Sequence, residues 1–167
     1  MKNTLKRTLA LIAGTIGFAV AAAGTSKAEE FSFTAQNHGL TLKIDQAYDD
    51  DGVPKPKVSI NGAVLRQFMF MQRLAVEFDH TSEDGNRVVA MHHWAGGNGC
   101  AGSLTLFSLS SDGFLQSEPV AECVENYSIA ASQSEPGAIE IVTYSDETKT
   151  EATGSWLFLE DQMVKQK

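Results

Sequence analysis

Arg87-Val88-Val89-Ala90-Met91-His92-His93-Trp94 and Ser103-Leu104-Thr105-Leu106-Phe107-Ser108-Leu109-Ser110 are the two runs that decide the fold. Each is eight residues long and carries apolar side chains on both faces of an extended chain, as a strand inside a sheet does. The second alternates through Leu104, Leu106 and Leu109 or, on its other face, Thr105 and Phe107. Neither run shows helical spacing.

The same logic works outward. Residues 75–79 read as a strand that returns through the 81–86 turn, where Asp84-Gly85 supplies turn chemistry. Ser111-Asp112-Gly113 is a tight turn, and 114–124 is a strand interrupted at Pro119, hence an edge or a bulge. Further strands are expected over 128–131, 138–144 and 154–160, the last buried on both faces. Upstream, 31–34 and 40–45 alternate around Asn37-His38-Gly39 and predict a hairpin. Residues 48–57 hold three Asp, Gly52, Pro54 and Pro56 and read as a loop, since the prolines exclude a helix and a central strand. Asn61-Gly62 is a two-residue hairpin signal after 58–60. Over 63–74 the helical and extended periods compete. The expected class is all-β, with at most one short helix. It is an antiparallel sandwich or barrel of about eight short strands, with turn signals at the spacing such folds show.

The N-terminus has a different grammar. Lys2, Lys6 and Arg7 precede a 16-residue apolar or small stretch over 9–24, and Ser26-Lys27-Ala28 follows. Charged start, short apolar core and small residues at the cut predict a secretory signal peptide over 1–28. The apolar stretch falls short of the roughly 20 residues of a membrane span. Residues 29–167 then form one β-rich domain, periplasmic or secreted, with no membrane association after cleavage. Asn126-Tyr127-Ser128 is a glycosylation sequon only in a eukaryotic secretory host.

Charge narrows the partners. The chain has 13 Lys and Arg against 21 Asp and Glu. Removing Lys2, Lys6, Arg7 and Lys27 leaves nine basic side chains and a net charge of −12. That surface excludes a nucleic-acid binder and attracts cationic proteins at a rate that falls with salt.

Both cysteines, Cys100 and Cys123, lie in the exported part, where a disulfide between them is expected. Closing that loop stabilises the fold by about 3 kcal/mol on the chain-entropy account. The alternative, Cys100 as a nucleophile, lacks a third orienting group.

Candidate recognition residues cluster in two places. The first is His92, His93, Trp94, Gly97 and Asn98, around the glycine loop 95–99 that Cys100 would tether; rigid loops of this kind often carry recognition. The second is the acidic loop Asp49, Asp50 and Asp51. Gly97-x-Gly99-x-x-Gly102 matches the dinucleotide fingerprint, but a strand rather than a helix follows it, so no cofactor is expected. An EF-hand fails too: with Gly52 at position 6, Ala47 and Val58 fall where carboxylates are required. His92 and His93 point to opposite faces of a strand and do not chelate one ion, so no metal and no catalytic residue is assigned.

The function expected is an exported bacterial binding protein, such as a periplasmic inhibitor or immunity protein for a cationic hydrolase or toxin. In general character the chain resembles bacterial periplasmic lysozyme inhibitors and toxin-immunity proteins, though no motif residue carries over. The alternative is a small periplasmic hydrolase or metal-dependent enzyme using His80, His92 or His93. Absence of a nucleophile elbow or a phosphate loop favours a binder over an enzyme.

Overall fold

A computed structural model describes residues 30–96, 102–123, 125–133, 135, 137–159 and 162–166. The expected signal peptide, Gly97, Asn98 and Cys100 lie outside these. Twelve strands among the described residues form three antiparallel sheets of four consecutive strands each. The first sheet holds β1 (Phe31–Asn37), β2 (Leu40–Tyr48), β3 (Pro54–Ile60) and β4 (Ala63–Val64). The second holds β5 (Arg73–Thr81), β6 (Arg87–Trp94), β7 (Ser103–Ser110) and β8 (Gly113–Gln116). The third holds β9 (Tyr127–Ala131), β10 (Ile139–Tyr144), β11 (Ala152–Leu159) and β12 (Gln162–Gln166). The helical content described is one 3-10 turn, Arg66–Phe68. No described helix is long and apolar enough to cross a membrane.

The layering follows from β6 and β7. Their apolar residues occur on both pleats, so both faces of the second sheet need a cover. Val89, Met91, Phe107 and Leu109 share a core with Ala35, Leu42, Ile44 and Val58 of the first sheet. Val88, Ala90, Leu104 and Leu106 share another with Ile139, Ile141 and Phe158 of the third. The second sheet is therefore the middle layer of a three-layer sandwich. Each fully buried Leu or Ile stabilises it by roughly 2 kcal/mol relative to exposure.

The all-β antiparallel class stands, with more strands than the turn spacing suggests. Pro54 and Pro56, read as loop, belong to β3, where Pro54 pairs with Tyr48 and Pro56 with Gln46. Pro-Lys-Pro-Lys-Val-Ser-Ile has a period of two, and the prolines are tolerated because β4 covers just Ser59 and Ile60 on the other side. Asn61 and Gly62 both have positive φ and join β3 to β4 as a tight hairpin. The ambiguous 63–74 stretch is neither one helix nor one strand: β4, the 3-10 turn and the start of β5 share it. Strand β11 is not buried on both faces. It lies in an outer layer, where Phe158 is buried while Trp156 and Leu157 are half-buried. Pro119 lies beyond the edge strand β8, and the chain then rejoins the sheet at a Leu104–Val120 bridge.

Two buried-end contacts pin the layers. At one end Asn37 Nδ2 donates to the carbonyls of Gly85 (2.8 Å) and Leu109 (2.7 Å). At the other, buried Gln46 on β2 accepts from the Leu74 N–H (2.7 Å) and donates to Tyr48 Oη (2.9 Å).

Candidate functional site

The end of the sandwich held by Gln46 collects the acidic loop and the described members of the other cluster, His92, His93 and Trp94. Strand β2 finishes there at Tyr48 and opens into the acidic loop, β5 begins there, β6 finishes at Trp94, and β7 begins at Ser103. Between the acidic loop and the end of β6 runs the 69–72 turn, which joins them. The Gln72 N–H donates to the Trp94 carbonyl at 2.7 Å, and the Gln72 carbonyl accepts from Gln46 Nε2 at 3.4 Å. Gly96 lies against the Gln72 side chain, where a Cβ would come within 2.4 Å of it.

This turn was not singled out by sequence reasoning. Phe70 is 85% exposed, Met69 56% and Val53, across from them, 49%. Together with Pro54, Pro56 and Met71 they line an open groove of about 600 Å³. A second hollow, about 280 Å³, lies beside it and is lined by Met71, His93, Trp94, Gly96, Pro119 and Glu122. Met71 borders both. The signal available in the sequence was the run Phe68-Met69-Phe70-Met71, too apolar for a solvent-facing turn.

The acidic loop is a tight structure. Asp49 accepts from the backbone N–H groups of Val53 (2.8 Å) and Asp51 (3.2 Å) and pairs with Lys55 (3.1 Å). The Val53 N–H, then Lys55, hold the Asp49 carboxyl below the usual carboxylate range. Asp50 and Asp51 are exposed. Asp49 thus shapes the loop, while Asp50 and Asp51 present charge.

The neighbouring histidines divide as the pleat requires. His92 faces the third sheet, half-buried against Tyr127 with ring centroids 6.1 Å apart. Its Nε2 is buried and has no hydrogen-bond partner. His93 faces the first sheet and is 7% exposed, edge-on to Phe68 and sharing a 2.9 Å hydrogen bond with Thr105 Oγ1. At that burial His93 has little surface of its own and backs the smaller hollow from beneath. His80 pairs with Val88, far along β5 from the Ala75–His92 pair, so the three imidazoles do not converge. Among the described residues no three His, Cys, Asp or Glu side chains are placed to hold a metal ion. Trp94 is half-buried at the rim. Gly97, Asn98 and Cys100 fall outside the described residues; no described cysteine is free, and Cys123 is exposed.

Burial first, and then the neighbouring His92, push the His93 pKa down to about 4 from an ordinary 6.5. The unfolded chain therefore binds the extra proton between those values. The contribution of His93 to stability is complete above pH 6.5 and is lost as pH falls towards 4. We expect a loss of order 2 kcal/mol across that window after solvent screening. Urea midpoints should fall more steeply there for the native chain than for His93→Gln; parallel curves would refute it.

No family model, curated protein or solved structure matches the chain.

Proposed function

We propose that the chain is exported by a bacterium, loses residues 1–28, and works in the periplasm or outside the cell as a binding protein for a cationic protein. It is an inhibitor or immunity protein for a basic hydrolase or toxin. The binding surface is the end of the sandwich formed by the acidic loop, the 69–72 turn and the Trp94 end of β6. In the oxidising compartment Cys123 closes with Cys100 and tethers the glycine loop.

The observation that carries the reading is the exposure of Phe70 in a groove shared with Gly52 and Val53, which follow the exposed Asp50 and Asp51 in the chain. An aromatic left in water by a domain with two complete cores has no folding role. Aromatic and Met side chains are enriched at the centre of protein interfaces, with charge at the rim steering encounter. The net charge of −12 on residues 29–167 sets the sign of the partner.

The test uses the mature, oxidised chain against a panel of purified cationic lysozymes and nucleases. A complex that inhibits one of them and weakens with salt is expected. Asp50→Lys with Asp51→Lys should weaken it at least tenfold at low ionic strength, about 1.4 kcal/mol. No complex with any of the panel at low salt, for protein with native β-sheet dichroism, overturns the proposal.

A further inference from the structure

We infer that the groove between the proline edge of β3 and the 69–71 turn receives an arginine side chain from a loop of that cationic partner; the inference rests on the proposed function for its occupant. The edge chemistry comes first. The Leu65 N–H donates to the Val58 carbonyl, so the polar groups of Val58 face away from β2. Pro54 and Pro56 share the parity of Val58 along the strand, so their backbone nitrogens and carbonyls face the same way. Those nitrogens carry no hydrogen. Strand β4 covers Ser59 and Ile60 alone, leaving 54–57 as a sheet edge. This edge offers carbonyl oxygen and no donor at the half-buried Pro54, and Pro56, the next outward position, is buried and likewise supplies no donor. An added strand must both donate and accept, and so finds half its bonds missing. A group that only donates suffers no such loss, and guanidinium has five N–H donors and no acceptor.

The walls suit the rest of that side chain. Met69, Met71 and Val53 are apolar surface for the methylene stem. Phe70, 85% exposed, presents an aromatic ring to a planar cation, which Arg stacks on better than Lys does. Charge next to the lining in the chain agrees: Asp50 and Asp51, which precede Gly52 and Val53, are exposed, whereas Lys55, the cation on the lining, is paired with Asp49. A volume of about 600 Å³ is in the range of ligand-sized clefts. A second copy of this chain is a poor occupant, because two bodies of charge −12 repel.

The experiment titrates the isotope-labelled mature chain with acetyl-Arg-Arg-amide at millimolar concentration, followed by amide chemical shifts, with the isosteric uncharged acetyl-citrulline dipeptide as control. Shifts confined to 50–56 and 69–72 are expected for the arginine peptide alone. Phe70→Ala should weaken binding about fivefold, as should Asp50→Asn with Asp51→Asn. No shifts, equal response to citrulline, or shifts mapping elsewhere overturn the assignment. So does a dimer of the free protein that Phe70→Ala dissociates, which gives the groove to a second copy. The dipeptide needs no protein partner, so the two readings fail separately. An intact hydrolase complex with an indifferent groove sinks this inference alone. A groove that takes arginine in a protein that binds no cationic protein sinks the proposed function alone.

Discussion

Phe107→Ala should lower stability by about 4 kcal/mol, the middle of the range for truncating a buried Phe. Phe107 is fully buried on β7, with its ring edge-on to Phe68 at 6.0 Å and stacked on Phe114 at 6.0 Å. The substitution removes transfer energy and both ring contacts, and it leaves a void between two sheets that relax only in part. For a domain of this size the melting temperature should fall by roughly 10 °C. The layering adds a second expectation. The Phe107 side chain points at the first sheet, but its backbone belongs to a strand whose other face, through Leu104 and Leu106, holds the third sheet. Amides of β10 should therefore exchange faster in the variant, although no side chain they touch has changed. Urea denaturation and hydrogen exchange check both parts. Leu115→Ala, on a side chain 44% exposed, is the control and should cost under about 0.5 kcal/mol. Unchanged exchange in β10 would mean that the layers unfold independently.

That coupling also explains what could be read from residues alone. The runs 87–94 and 103–110 coincide with β6 and β7 because a strand buried on both faces carries apolar residues at both parities, bounded here by turn and glycine-rich sequence. Their double-sided burial implies two covering layers, yet it does not say which strands supply them. Elsewhere local rules misled. The two prolines make 48–57 read as a loop, yet β3 starts at Pro54, because the register needs no N–H from Pro54 or Pro56 towards β2. Phe68 and Phe70 fit one side of a hypothetical strand, but the 3-10 turn breaks the period, burying Phe68 under His93 and leaving Phe70 in water. Strand β12 carries just Met163 and Val164 as apolar residues, too few to register as a run. The acidic loop and the glycine-loop flank were both legible as candidates. Their meeting through Gln46, Gln72 and Met71 was not, because hydrogen bonds across 26 residues of sequence leave no mark in composition.

Gly102→Ala should cost about 3 kcal/mol or more, and the reason separates into two parts that a second glycine can isolate. Gly102 is buried with φ of +116°, a backbone conformation that L side chains rarely adopt. A Cβ there would lie 2.4 Å from His92 Nε2 and 2.6 Å from the His93 carbonyl oxygen. The second is backbone of a central strand and cannot swing aside. Gly113 has φ of +133° with no atom within 4 Å of a Cβ. Gly113→Ala thus carries the dihedral strain without the collision and should cost about 1–2 kcal/mol. The excess in Gly102→Ala measures how tightly the chain entering β7 is pressed onto the histidine pair. Relief would have to come from moving Gly102 outward, which loosens the 2.7 Å bond from the Cys123 N–H to its carbonyl. The His92 ring should shift against Tyr127, visible in the imidazole resonances. Binding at the site should weaken with it, since the end of β6 and the start of β7 frame the hollow beneath Trp94. Equal losses for the two alanines would show that the close packing at Gly102 carries no energy, and that the loop flank is held by something other than its contact with His92 and His93.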